Sequence, residues 1–135
     1  MYLLDTNIVS YIVSGRSAAC RAKLLKIQER EQVAVSAITL AELSFGLEKV
    51  GAGTKRRASL EEFLERVRVL AWTRDDVEAY ARLRTQMERT GGTLSTLDML
   101  IAAHAVSVGA IMVTHDSAIK RTPGLKAVED WATDL

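Results

Sequence analysis

The chain has little of several residue types, and each scarcity excludes a class of protein. Cys20 is the single cysteine among 135 residues, so an internal disulfide is impossible and a reducing compartment is expected. No apolar run approaches the roughly 20 residues that a membrane span needs. The apolar segment Met1–Leu4 is too short for a signal peptide. We therefore expect a cytoplasmic protein with no membrane partner.

Aromatic residues and net charge are also scarce. Aromatics make up 5% of the chain and apolar residues 48%, which predicts an aliphatic, alanine-rich core. The net charge of +1 neither indicates nor excludes a nucleic-acid partner, because a local patch matters more than the total. One cysteine and two distant histidines exclude a zinc site of the usual spacing. Of the histidines, His104 lies on an apolar helix face, which predicts a packed core residue.

Short apolar runs alternate with longer segments of helical spacing. The runs predict strands at Met1–Leu4, Val33–Val35, Val69–Trp72, Ala110–Thr114 and Lys126–Glu129. Helical spacing is clearest at Ser17–Glu31, Ala37–Val50, Thr54–Arg66, Ser95–Val108 and after the capping signature Thr73-x-x-Asp76. This alternation predicts one α/β domain with a parallel sheet of about four to five strands, flanked by helices on both faces.

Four carboxylates stand where an apolar run gives way to a helix start: Asp5, Glu42, Asp98 and Asp116. In a parallel α/β sheet such positions share the carboxyl edge, where ligands bind. Two carboxylates about 5 Å apart repel by roughly 3 kcal/mol at an effective dielectric near 20. A cluster of four must therefore protonate or bind a cation. Oxygen-only ligands favour Mg²⁺ or Mn²⁺ over zinc.

Helix capping is the alternative explanation of each carboxylate. Asp5 and Asp116 fit N-caps, and Thr39-x-x-Glu42 and Ser95-x-x-Asp98 are formal capping boxes. A cap contributes about 1 kcal/mol and needs no metal. Capping does not require four acids to share one edge of the sheet, whereas the predicted topology places them there. The set as a whole therefore favours a metal site.

Four ordered segments resemble the PIN-domain nucleases, most closely the VapC-type toxins of bacterial toxin–antitoxin pairs. They are Leu4–Ile8, Thr39–Leu43, Asp98–His104 and Val113–Asp116, and Pro123–Leu125 and Val128–Trp131 resemble that group's last strand. The resemblance implies a PIN domain over residues 1–135. It also implies catalytic and metal-ligand roles for Asp5, Glu42, Asp98 and Asp116. Supporting roles fall to Thr6, Asn7 and Thr114.

Two positions depart from the pattern of the family. Leu94-Ser95-Thr96 replaces a Pro-Ile-Gly-like stretch, and His115 stands where relatives usually have asparagine. Neither departure removes a carboxylate. We expect the first to alter the substrate groove and the second to alter the geometry at Asp116, so His115 joins the supporting residues.

The resemblance implies a Mg²⁺- or Mn²⁺-dependent endoribonuclease with one or two ions. The products of RNA hydrolysis would carry 5′-phosphate and 3′-hydroxyl ends. Lys120, Arg121 and Arg16 are the expected phosphate contacts. The family also implies a homodimer and a VapB-like antitoxin partner. Helices at Ser17–Glu31 and Ala37–Val50 carry surplus apolar residues and are expected to line its docking groove.

Two other functions remain open at this point. A phosphotransfer protein would use Asp5 as the phosphoryl acceptor. Phosphatases with such an acceptor require a second aspartate at the position of Asn7. They also require a lysine at a later strand end, where this chain has Thr114-His115. A catalytically inactive binding module with the PIN fold is the second alternative.

Overall fold

A computed structural model describes residues 1–51 and 53–135. Within these ranges the chain forms five strands, namely β1 (Tyr2–Leu4), β2 (Val33–Ser36), β3 (Arg68–Leu70), β4 (Ile111–Val113) and β5 (Ala127–Glu129). The same ranges contain seven α-helices, namely α1 (Thr6–Ser14), α2 (Ala18–Gln28), α3 (Ala37–Lys49), α4 (Thr54–Leu64), α5 (Val77–Thr90), α6 (Thr96–Val108) and α7 (Ser117–Lys120). A 3₁₀ turn at Arg74–Asp76 precedes α5. No helix in the described ranges is both long and apolar enough to cross a membrane.

The strands form one parallel sheet in the order β3-β2-β1-β4-β5. Every residue of β1 and β2 is buried, because helices cover both faces of the sheet. Successive side chains point to opposite faces, so Leu4 packs into one core and Leu3 into the other. The predicted α/β fold is therefore confirmed.

The two faces of the sheet are covered by different helices. Residues of α1, α2 and α4 pack on one face, and residues of α6 and α7 pack on the other. Helix α5 lies outside α6, where Leu83 and Met87 contact Ala102 and Ala103. Helix α6 is consequently covered on both sides, and the predicted core position of His104 is confirmed, since the residue is 1% exposed.

The strand predicted at Val69–Trp72 is displaced. The structure has β3 at Arg68–Leu70, whose last residue pairs with Ser36 at the end of β2. Trp72 has already left the sheet, and its indole nitrogen donates a hydrogen bond to the Leu100 carbonyl at 3.0 Å. The apolar pattern included Trp72 because a buried aromatic residue fits a strand and a helix contact equally well.

Candidate active site

Asp5 is the most buried of the four carboxylates. It follows β1 directly and is 2% exposed. Its Oδ1 caps α1 by accepting the Ile8 N–H at 2.9 Å, and its Oδ2 accepts the Thr114 hydroxyl. Burial is the main reason that the pKa of Asp5 is raised to about 6, against the effect of both hydrogen bonds, and the charges of Asp98 and Asp116 contribute to the rise. A cation at this position would stabilise the ionised form.

Thr114 joins Asp5 to Asp116. The Thr114 side chain is fully buried at the end of β4. Its Oγ1 donates to Asp5 and accepts the Asp116 N–H at 3.0 Å. Asp116 in turn caps α7, because its Oδ1 accepts the N–H groups of Ala118 and Ile119 at 2.8 and 2.9 Å. Both capping bonds use Oδ1, so capping does not occupy Oδ2, and the capping and metal-site interpretations of Asp116 are compatible.

Glu42 is not part of a capping box. Ser36 is the N-cap of α3, and its hydroxyl accepts the Ile38 N–H at 3.1 Å. Thr39 therefore lies inside the first turn of the helix, and the predicted Thr39-x-x-Glu42 box is wrong. Glu42 instead accepts the Thr6 hydroxyl at 2.7 Å through Oε1. Since Thr6 follows Asp5 directly, this bond ties Glu42 to the first loop of the site.

Asp98 lies in the first turn of α6. Ser95 caps that helix by accepting the Asp98 N–H at 3.1 Å, and the Asp98 side chain is half-buried. Its charge is one of those that raise the pKa of Asp5. Asn7, by contrast, is exposed on the first turn of α1.

The four acids thus border one end of the sheet without converging on one point. In the described part of the chain, no three His, Cys, Asp or Glu side chains are grouped closely enough to hold a metal ion. A cation bound by three or more of these acids would require their side chains to rotate toward it. The donor set consists of carboxylate oxygens, which suits Mg²⁺ or Mn²⁺.

The expected phosphate contacts differ in their surroundings. The Lys120 ammonium lies 2.7 Å from Asp130 Oδ2. The Arg16 guanidinium stacks on the Tyr11 ring, 5.3 Å from its centre. Arg121 is exposed beside the loop that follows α5. Their contacts with substrate stay predictions.

Asp130 was missed by the sequence analysis. It follows β5 as Asp5 follows β1, so an acid placed directly after a strand was the available signal. The Thr114 N–H donates to the Glu129 carbonyl at 3.0 Å, which brings Asp130 beside the Thr114–Asp116 segment. His115 Nδ1 lies 2.9 Å from Asp130 Oδ2. The predicted supporting residue His115 therefore contacts Asp130.

A groove of about 650 Å³ lies between α1, α3 and α4, and Glu42 is one of its lining residues. Leu43 and Leu47 of α3 and Val13 of α1 supply apolar surface, and Lys55 and Arg56 add positive charge. This groove is lined by α3 but not by α2, and the docking groove expected at α2 and α3 stays a prediction. Residues of α2 line a separate cavity with α1 and α4.

Comparison with known proteins places the chain in a family. The PIN domain sequence model matches residues 2–125. The chain belongs to the PIN-domain family. The match stops before the last strand, so the extent of the PIN domain to residue 135 stays a prediction.

Individual PIN proteins agree with this assignment. The chain is 32% identical to Ribonuclease VapC2 of Rickettsia felis, across 97% of this chain and 98% of that protein. It is 31% identical to the tRNA(fMet)-specific endonuclease VapC of Shigella flexneri, with the same coverage. The crystal structure of VapBC2 from Rickettsia felis bound to a promoter DNA fragment superposes with a TM-score of 0.91, at 32% identity over 96% of this chain and 98% of that one. The crystal structure of DNA-bound VapBC from Salmonella typhimurium superposes with a TM-score of 0.87, at 30% identity over 96% of this chain and 97% of that one. The resemblance to VapC-type PIN proteins is thereby confirmed.

Proposed function

We propose that this chain is a Mg²⁺- or Mn²⁺-dependent endoribonuclease of the cytoplasm that acts as the toxin of a toxin–antitoxin pair. The similarity to VapC ribonucleases supports the reaction class. The observation that carries the proposal is the buried Asp5 carboxyl, whose pKa rises to about 6 through burial and through Asp98 and Asp116. That environment disfavours a lone carboxylate and favours one with a cation beside it.

Each acid has a proposed role in the hydrolysis of the RNA phosphodiester bond. Asp5 and Asp98 would hold the ion, and Glu42 and Asp116 would bind it directly or through water. Thr114 keeps Asp5 in position by its hydroxyl bond. Asp116 or Glu42 would orient the attacking water and accept its proton. When bound, one or two divalent cations would polarise the scissile phosphate and make that water a stronger nucleophile.

RNA would approach along the same edge of the sheet. The N-termini of α1, α6 and α7 lie there and favour a phosphate group. Lys120, Arg121 and Arg16 are the proposed contacts with flanking phosphates. The name of the Shigella relative makes tRNA(fMet) the first substrate to test.

The phosphotransfer alternative is less well supported. Phosphatases with an aspartate acceptor need a second aspartate and a lysine at a later strand end, where this chain has Asn7 and Thr114-His115. A catalytically inactive binding module is also less well supported, because all four acids are present in the chain.

The test is cleavage of defined RNAs by the purified chain with Mg²⁺ or Mn²⁺. We expect wild-type protein to cut tRNA(fMet) or another structured RNA, leaving 5′-phosphate ends that ligation-based sequencing detects. Asp5→Asn and Asp98→Asn should abolish these ends, while Asp75→Asn, at an exposed site on the 3₁₀ turn, should leave them unchanged. Identical ends from wild type and Asp5→Asn would contradict the proposal.

An antitoxin partner and a homodimer are further parts of the proposal. The similar structures are VapBC complexes, and the groove between α1, α3 and α4 leads to Glu42. A basic antitoxin side chain entering there would meet the acids. Co-expression with the neighbouring gene product should yield a stable complex with suppressed RNA cleavage, and sedimentation should give a dimer. A monomer that binds no neighbouring gene product would contradict both.

A further inference from the structure

Lys120 lies one helical turn after Asp116, yet its ammonium contacts a different acid. The backbone N–H of Lys120 donates to the carbonyl of Asp116, the N-cap of α7, at 3.0 Å, so the two residues are four apart across the first turn of that helix. Acidic and basic side chains at this spacing attract each other on a helix surface. The Lys120 Nζ nevertheless lies 2.7 Å from Asp130 Oδ2. Asp130 therefore competes successfully with Asp116 for this cation.

Hydrogen bonds orient the Asp130 carboxylate toward Lys120. Its Oδ1 accepts the Ala132 N–H at 2.9 Å, which leaves Oδ2 to face both Lys120 and His115, at 2.7 and 2.9 Å. Burial raises the pKa of Asp130, but the bonds from Lys120, His115 and the Ala132 N–H outweigh burial and bring the pKa below its usual value. The carboxylate is therefore ionised at neutral pH. The His115 ring also packs edge-on against Tyr11, with 6.4 Å between ring centres.

We propose that Asp130 is a positioning residue, which holds the Lys120 ammonium away from Asp116 and so keeps the Asp116 carboxylate open to a divalent cation. This inference rests on the proposed cation site. Without Asp130, the carboxylate of Asp116 is the natural partner of Lys120 on α7. An ammonium there would neutralise Asp116 and compete with the metal for the same oxygens. Asp130 thus lets a lysine stand beside an acidic site, where RNA phosphate can reach it, without blocking the site.

The experiment is titration of the purified, full-length chain with Mn²⁺, followed by calorimetry and by the electron paramagnetic resonance of free Mn²⁺. No RNA is present, so loss of a phosphate contact has no influence on the result. We expect Asp130→Asn to weaken Mn²⁺ binding roughly tenfold, and Lys120→Met to stay within about twofold of wild type. The double variant Asp130→Asn/Lys120→Met should regain wild-type affinity, because the competing ammonium is gone. Asp130→Glu should keep most of the affinity.

A matched control separates this role from a general charge effect. Lys26 is exposed on α2, so Asp130→Asn/Lys26→Met has the same net charge as the rescued variant but should remain weak. Rescue by both double variants would overturn the inference, as would wild-type affinity in Asp130→Asn, or no rescue by Lys120→Met. If Asp130→Asn does not fold, Asp130→Ser replaces it in the same comparison. Absence of Mn²⁺ binding in wild type would instead overturn the cation site, and the inference with it.

Discussion

His104 and His115 each lie against an aspartate, but in very different surroundings. His104 is 1% exposed, with Nδ1 2.8 Å from Ser36 Oγ and Nε2 3.8 Å from Asp76. The side chain of His115 is 37% exposed, and its Nδ1 lies 2.9 Å from Asp130, which Lys120 also contacts. The first group connects the start of α3, the 3₁₀ turn and α6. The second group borders the acids of the candidate active site.

Burial decides what each pair can do. Around His104 burial lowers the pKa, and Asp76 only partly opposes this, so the ring is neutral at neutral pH and acts as a hydrogen-bonded core residue. Around His115 the ring, the carboxylate and the ammonium are all partly solvated. The same pair of residue types thus stabilises the fold in one place and adjusts a reactive surface in the other.

Replacing each histidine in turn should give the largest difference in stability between the two groups. We expect His104→Ala to lower the free energy of unfolding by about 3–4 kcal/mol, since it leaves a cavity and removes the partner of buried Ser36 and Asp76. His115→Ala should cost at most about 1 kcal/mol. Urea unfolding at pH 7.5 measures both. Equal losses would show that the two groups are not different in kind.

The pH dependence of stability should reveal the buried acid. Unfolded Asp5 titrates near 3.8 and folded Asp5 near 6, so the folded state binds the extra proton between these values. The free energy of unfolding should therefore fall by roughly 2–3 kcal/mol as the pH rises from about 4 to 6, and change no further through Asp5 above that. Asp5→Asn should lack this fall in metal-free buffer. Because groups remote from Asp5 titrate equally in both proteins, the difference between the two curves reports Asp5 and the acids coupled to it, and coincident slopes would contradict its raised pKa.

The titration of His104 should change the free energy of unfolding with pH in the opposite direction to that of Asp5. Its folded pKa is lowered by burial, so the unfolded state gains a proton first as the pH falls through about 6.5. Stability contributed by neutral His104 is then lost toward acid pH. His104→Gln should remove this acid-side loss while Asp5 remains unchanged, and urea unfolding between pH 5 and 7.5 measures it. If His104→Gln loses as much stability toward acid pH as the wild type, another group is responsible for the loss.

Thr6→Val tests whether the acids of the candidate active site depend on their hydrogen-bond partners. The change removes the 2.7 Å hydroxyl bond to Glu42 while keeping the shape of the side chain. We expect a cost of about 1 kcal/mol in stability and a fall of several-fold in Mn²⁺ affinity, because Glu42 is no longer oriented. Thr54→Val, at the exposed start of α4, is the control. Unchanged Mn²⁺ binding would show that the Thr6 bond does not orient Glu42 for the cation.

His115→Asn should have the smallest effect. Asparagine can still donate one hydrogen bond to Asp130, so stability should change by less than about 0.5 kcal/mol. RNA cleavage should persist, since the hydrogen bond to Asp130 is kept. Urea unfolding and the RNA assay test this together. Loss of cleavage would make His115 a reacting residue of this chain.

Much of the fold could be predicted because its strands are buried on both faces. Continuous apolar runs as short as Val33–Val35 favour a buried strand over a helix, and the polar helix starts between them mark the edge of the sheet. β3 was displaced because it is an edge strand with exposed Arg68 and Val69, which leaves little apolar pattern to define its ends. The cap of α3 was misplaced because Ser36 and Thr39 are equally good caps locally, and only the end of β2 decides between them.

The site could be predicted in part for a related reason. Each acid position followed from local sequence, but hydrogen bonds between distant residues did not. The Thr6–Glu42 bond and the Lys120–Asp130 pair both depend on how strands align, and β5 with its following Asp130 is short and weakly patterned. Surplus apolar residues on a helix do not tell which neighbour they face, so the sequence could not predict that α3 shares its groove with α1 and α4.

The most direct test of the account is anomalous diffraction from crystals of the chain grown with Mn²⁺. We predict a manganese peak at the carboxyl end of β1, with oxygens of Asp5 and Asp98 about 2.0–2.3 Å away and Glu42 or Asp116 bound directly or through water. The same peak should be lost in Asp5→Asn crystals. A manganese ion found only elsewhere on the surface, with Asp5 still bonded to Thr114 and remote from any ion, would contradict it.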